Sequence, residues 1–145
     1  GDWIFGCDIC QDVCPVNRKA KPGNLPEFKQ RPGFSTPTLV EILNLDQEEF
    51  SNTYRGTPIK RAKLSGLKRN ACVALGNNGD KNAIKPLAGA LRDSSSVVRG
   101  HAAWALVQLG GRQSENHLRQ ALLDEKEPEA RSEIEAALNR ISIKK

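Results

Sequence analysis

Apolar positions in the second half of the chain return every three or four residues, the interval of one helix face. The whole pattern then repeats. Leu67-Lys-Arg-Asn-Ala-Cys-Val-Ala-Leu75 overlays Val98-Arg-Gly-His-Ala-Ala-Trp-Ala-Leu106 at an offset of 31, so Ala71, Ala74, Leu75 and Gly79 recur as Ala102, Ala105, Leu106 and Gly110. A weaker third copy sets Arg99, Ala105, Leu106 and Leu109 over Arg131, Ala137, Leu138 and Ile141. The intervening segments echo as well, with Leu87, Ala90, Leu91 and Asp93 returning as Leu118, Ala121, Leu122 and Asp124. Two helices per period of this length mark a solenoid of short, HEAT-like repeats. Alanines let neighbouring helices approach closely, and the leucines fill the space between repeats. Gly79 and Gly110 fall where helix C-caps belong, so Asp80 and Ser114 are expected to open the next helical segments.

Ahead of the repeats, Ser35-Thr-Pro-Thr-Leu-Val-Glu-Ile-Leu-Asn44 offers a hydroxyl cap, a proline in the first turn and helical apolar spacing. Asp46 with Glu49 has the form of a capping box, and Phe50 and Tyr54 share a face, so a second helix should run to about Gly56. From Pro15 to Pro37 the chain carries five prolines and few apolar residues, which reads as loop. The resulting plan is all-α: a short ferredoxin-like cysteine segment with its loop (1–34), connecting helices (35–62), and a HEAT-like solenoid (63–145).

The cysteine segment is Cys7-Asp-Ile-Cys10-Gln-Asp-Val-Cys14-Pro15. Its C-x2-C-x3-C-P spacing is the last part of the bacterial ferredoxin run C-x2-C-x2-C-x3-C-P, with Ile4 where the first cysteine belongs. Early thiolates of that run hold one 4Fe-4S cluster and the cysteine before proline reaches a second, so Cys7 and Cys10 would serve one and Cys14 the other. Three sulfurs cannot complete two clusters, and no complete cluster is expected on these residues alone. The fourth cysteine, Cys72, stands at the Ala103 position of a repeat and reads as a small buried thiol. A zinc site would need a fourth nitrogen or sulfur, and the two histidines, His101 and His117, lie in the repeats. A thioredoxin-type pair would need a strand before it and a helix after it, where Pro15 and a loop stand.

Charge changes the picture in one place. Arg55, Lys60, Arg61, Lys63, Lys68 and Arg69 fall in one acid-free stretch that carries more positive charge than the net +5 of the whole chain. Such a field suits phosphate backbones, and Arg18, Lys19 and Lys21 form a second set beside the cysteines. The alternative is a solvated helix surface. No stretch approaches the roughly 18 apolar residues of a membrane span. Crowded cysteines point to metal ligation in a reducing compartment rather than a disulfide framework. Gly1 in place of Met, with a motif so near it, is read as a truncated start.

Three separated strings, Ile4-Phe-Gly-Cys7 through Cys14-Pro15-Val-Asn17, Arg55-Gly-Thr-Pro-Ile-Lys-Arg61, and Leu67-Lys-Arg-Asn-Ala71 with Ala74-Leu-Gly-Asn77, resemble the epoxyqueuosine reductase family over essentially the whole chain, as its carboxyl-terminal part. One departure is Val16, where a Trp is expected after the cysteine-proline pair. The resemblance implies a cytoplasmic, monomeric enzyme that reduces epoxyqueuosine to queuosine in the tRNA anticodon stem-loop. It also implies two 4Fe-4S clusters, cobalamin and an external electron donor. The family's cobalamin site and acid residue have no counterpart in these residues, so no catalytic residue is named. Two other readings remain: a non-catalytic HEAT-repeat adaptor that binds protein, and part of another cobalamin and iron-sulfur reductase.

Overall fold

The computed structural model describes residues 3–26 and 36–143. Among these the secondary structure is helical: α1 (Ile9–Asp12), α2 (Leu39–Asn44), α3 (Gln47–Thr53), α4 (Lys63–Asn78), α5 (Ile84–Ala90), α6 (Ser96–Leu109), α7 (Gly111–Asp124) and α8 (Pro128–Ile143), with short 3-10 turns between some of them. The chain forms two compact units, Gly6–Pro37 on one hand and Gly1–Phe5 with Thr38–Lys145 on the other. No helix among the described residues is long and apolar enough to cross a membrane.

Both connecting helices begin at complete capping boxes. The Thr38 amide donates to Glu41 Oε2 at 2.6 Å while Thr38 Oγ1 accepts from the Glu41 amide. Asp46 and Glu49 make the same reciprocal pair, as their spacing predicts. Thr38 is the N-cap of α2, and Ser35 lies outside the described residues. Its box partner, Glu41, stands three residues on. The second helix ends at Thr53, and a turn carries the chain past Gly56. Phe50 and Tyr54 pack with ring centroids 5.3 Å apart.

In the larger unit α4, α6 and α8 lie side by side, with α5 and α7 packed on them. The repeat register read from the sequence is the register of the core. Leu67, Ala71, Ala74 and Leu75 on α4, and Val98, Ala102, Ala105 and Leu106 on α6, are all buried. Ala137 and Ile141 continue the pattern on α8. Each fully buried Leu or Ile contributes about 1.5–3 kcal/mol relative to exposure, so this stripe holds the repeats together. At Gly76 α4 and α6 approach closely: an added Cβ would stand 2.9 Å from Ala105 Cα. Gly79 caps α4 in the left-handed region, and Asp80 caps the 3-10 turn after it through the Asn82 amide.

Ser114 does not open α7. The helix begins at Gly111, because Gly110 and Gly111 both take positive φ and turn the chain in two residues. Ser114 lies inside the first turn, fully buried, with Oγ donating to the Gly110 carbonyl at 2.8 Å.

Candidate cluster segment and nucleic-acid interface

The smaller unit builds its cysteine turn from two unusual backbone positions. Gly6 has φ 62 and Asp8 has φ 48, a left-handed state that Asp tolerates better than most residues. Asp8 then starts the single turn of α1, its carbonyl accepting from the Gln11 and Asp12 amides at 2.7 and 3.0 Å. Cys10 rides on that turn and Cys7 precedes it. Beyond it the Asn17 amide reaches the Cys14 carbonyl at 3.1 Å, and Asn17 Nδ2 donates to Gln11 Oε1 at 2.7 Å. These bonds fix the loop that carries Cys14. All three thiols are free, Cys7 and Cys10 exposed and Cys14 half-buried.

Reachable, uncrosslinked thiols on a tight turn fit thiolate ligation of iron. Among the described residues no three His, Cys, Asp or Glu side chains converge on a single-ion site. Val16, at the position of the expected Trp, is 80% exposed. Cys72 stands apart from this set: it is buried in α4, and burial first, then the nearby Asp93 carboxylate, pushes its thiol up to about 12. A thiol so placed carries its proton at neutral pH.

Arg18, Lys19 and Lys21 are all exposed in the smaller unit, the first two on the 3-10 turn Asn17–Lys19. In the larger unit the cationic block divides into two kinds. Arg55, Lys60, Arg61 and Lys63 are exposed and have no ion-pair partner among the described residues. They precede or begin α4, and Lys63 holds φ 58 at the junction. Lys68 and Arg69, one turn further along the helix, are engaged instead. Lys68 Nζ donates to Asp93 Oδ2 at 3.0 Å, and the Arg69 guanidinium donates twice to Asn70 Oδ1. Sequence reading groups all six because it counts charge. The partner of Lys68 stands 25 residues away, and only the packing of the following loop on α4 reveals it.

The same arrangement recurs one repeat on. Arg99, the counterpart of Lys68, binds Glu125 through two nitrogens and donates to the Asp93 and Ser94 carbonyls. That pairing holds the Glu125 carboxyl below its ordinary value, chiefly through the Arg99 hydrogen bond. Lys68 and Arg99 therefore tie loops to helices, whereas Arg69 bonds a neutral amide on its own helix and, like Arg55, Lys60, Arg61 and Lys63, has no ion-pair partner among the described residues.

Comparison with known proteins adds three findings. The model for HEAT repeats matches residues 63–139. The epoxyqueuosine reductases of Xanthomonas campestris and Bacillus subtilis are similar to this chain, at 38% identity over 76% of the chain and 34% over 95% of it. The chain spans about a third of their length, 31% and 36% respectively. Among solved structures, epoxyqueuosine reductase from Bacillus subtilis superposes with a TM-score of 0.87 at 32% identity, over 97% of this chain and 38% of that one. An epoxyqueuosine reductase with an epoxyqueuosine-modified tRNA-Tyr stem loop superposes at 0.86 with 31% identity, over 96% of this chain and 37% of that one.

Proposed function

Because the chain belongs to the HEAT-repeat family and is homologous over nearly its whole length to part of the epoxyqueuosine reductases, we propose that it forms part of a tRNA-modifying reductase that converts epoxyqueuosine to queuosine. In this reading Cys7 and Cys10 bind one 4Fe-4S cluster and Cys14 binds the second. The remaining ligands and the cobalamin site come from sequence outside these residues, so the 145-residue chain is inactive alone. When bound, the clusters supply one-electron transfer. Arg55, Lys60, Arg61 and Lys63 hold phosphates of the anticodon stem-loop, with Arg18, Lys19 and Lys21 as a second set. Cytoplasmic location, an external electron donor and a monomeric state accompany the reading.

The observation that carries it is the coincidence of three free cysteines at ferredoxin spacing with unpaired cations at the start of a HEAT-repeat unit. A protein-binding adaptor has no need of the former, and a small-molecule reductase has none of the latter. The test uses the intact reductase. Anaerobic reconstitution should load about eight irons, and Cys7→Ser or Cys14→Ser should lower that number. Binding of a tRNA stem-loop should weaken with salt, and each of Lys60→Gln, Arg61→Gln and Lys63→Gln should flatten the log-log slope by up to about 0.9. Unchanged iron content in both cysteine variants removes the cluster assignment. An unchanged slope in the lysine and arginine variants leaves the adaptor reading.

A further inference from the structure

The larger unit holds a non-helical stretch against a repeat helix in one place. Asn70 Nδ2, on α4, donates to the Ile4 carbonyl at 2.7 Å, so a stretch of non-helical chain is seated by its backbone on that helix. By the repeat offset, the counterpart of Asn70 on α6 is His101. Beside His101, between the first halves of α6 and α8, runs a groove of about 530 Å³ lined by Val97, Gly100, His101, Ala130, Glu129 and Glu133 among others.

Its chemistry is specific in three respects. Val97 leaves an isopropyl group 48% exposed, and Ala130 lies buried beside it, so part of the lining is apolar. Gly100 stands where the preceding repeat carries Arg69, and its missing side chain leaves Glu133 Cγ 3.3 Å from the vacant Cβ position. Glu129 and Glu133 lie one turn apart on α8, exposed, with no ion-pair partner among the described residues. Like charges at this spacing repel, which an arriving cation would relieve. His101 completes the set: its Nδ1 is 2.8 Å from the Val97 carbonyl. A carbonyl can only accept, so Nδ1 carries the hydrogen, and in the neutral ring Nε2 is left as an acceptor.

We propose that this groove seats an extended peptide segment with an aliphatic residue followed two positions later by lysine or arginine. His101 Nε2 accepts a backbone N–H, Val97 receives the aliphatic side chain, and Glu129 with Glu133 receives the cation. An interval of two is the shortest that puts both side chains on one side of an extended backbone. Basic charge on the segment complements the two acidic side chains that line the groove. The seat is independent of any RNA contact made at the start of α4.

The probe is an end-capped hexapeptide, Gly-Leu-Ser-Lys-Ser-Lys, with the same peptide carrying glutamate for lysine as its counterpart. Titration of the chain followed by backbone amide shifts should show saturable changes confined to Val97, Gly100, His101, Ala130 and Glu133. Replacing both exposed acids, Glu129→Gln with Glu133→Gln, should weaken binding at least about tenfold, an effect on the order of 1.4 kcal/mol. Val97→Ser should weaken it independently of charge. Equal binding of the glutamate peptide, an unaffected double variant, shifts scattered over all acidic residues, or no binding would each overturn the proposal. So would movement of the same amides by a tRNA stem-loop.

Discussion

Lys68 Nζ and Asp93 Oδ2 lie 3.0 Å apart, with side chains only 12% and 14% exposed, and this contact joins α4 to the loop that follows α5. Removing one partner strands the other in a poorly hydrated place. Asp93→Asn should therefore lower stability by about 1.5–3 kcal/mol, the range for hydrogen bonds to charged groups. Lys68→Gln should do the same while leaving the salt slope of tRNA binding at its wild-type value. Denaturant midpoints and binding isotherms at several salt concentrations separate the two effects. A reduced slope in Lys68→Gln would return this lysine to the anion-binding set.

Two glycines on α4 should respond to alanine with opposite signs. At Gly76 a new Cβ would meet Ala105 Cα at 2.9 Å and both Ala105 Cβ and Trp104 Cζ3 at 3.0 Å. Overpacking of about 1–3 kcal/mol outweighs the gain of about 1 kcal/mol in helix propensity, so Gly76→Ala destabilises. At Gly66 the nearest atom outside the local backbone is Ala62 Cβ at 4.0 Å. Gly66→Ala should stabilise by up to about 1 kcal/mol. Thermal melts of both variants check the pair.

Thiol labelling should split the cysteines three to one. In the native chain without metal, iodoacetamide should modify Cys7, Cys10 and Cys14, which are exposed or half-buried. Cys72, buried and with its thiol pushed up to about 12, should react only after unfolding. Mass spectrometry before and after denaturant counts the adducts, and native labelling of Cys72 would contradict its place in the core.

Glu125 links stability to acid. Its folded-state pKa is depressed, first by the Arg99 hydrogen bond, so its contribution is present above the ordinary carboxylate value of 4.5 and disappears as pH falls through the folded value. Glu125→Gln should be less stable than wild type at pH 7, and the gap should close in strongly acidic solution. Urea titrations at both pH values measure this. A gap that persists in acid would show that the loss comes from packing and not from charge.

Much of the architecture is legible in the sequence because it is periodic. Ala71 and Ala102, or Leu75 and Leu106, are buried at the same register that their recurrence implies. The capping box at Asp46 is equally readable, since both members lie within four residues. Ser114 misleads because a serine after two glycines looks like a cap, whereas the positive φ of Gly110 and Gly111 starts the helix before it. At the candidate site the sequence supplies residue types but not their engagements. Nothing local to Lys68 announces Asp93, and nothing near Asn70 announces the Ile4 carbonyl 66 residues away. Such pairings depend on which loop lands on which helix.

The paired cations Lys68 and Arg99 each reach forward to an acidic residue after the next helix, but Arg131 on α8 meets Glu135 of its own helix and backbone carbonyls behind it. Cooperative opening of the solenoid therefore has a direction. Amide exchange should be slower on α6, where two rungs overlap, than on α8, so opening of the repeats would begin on the α8 side.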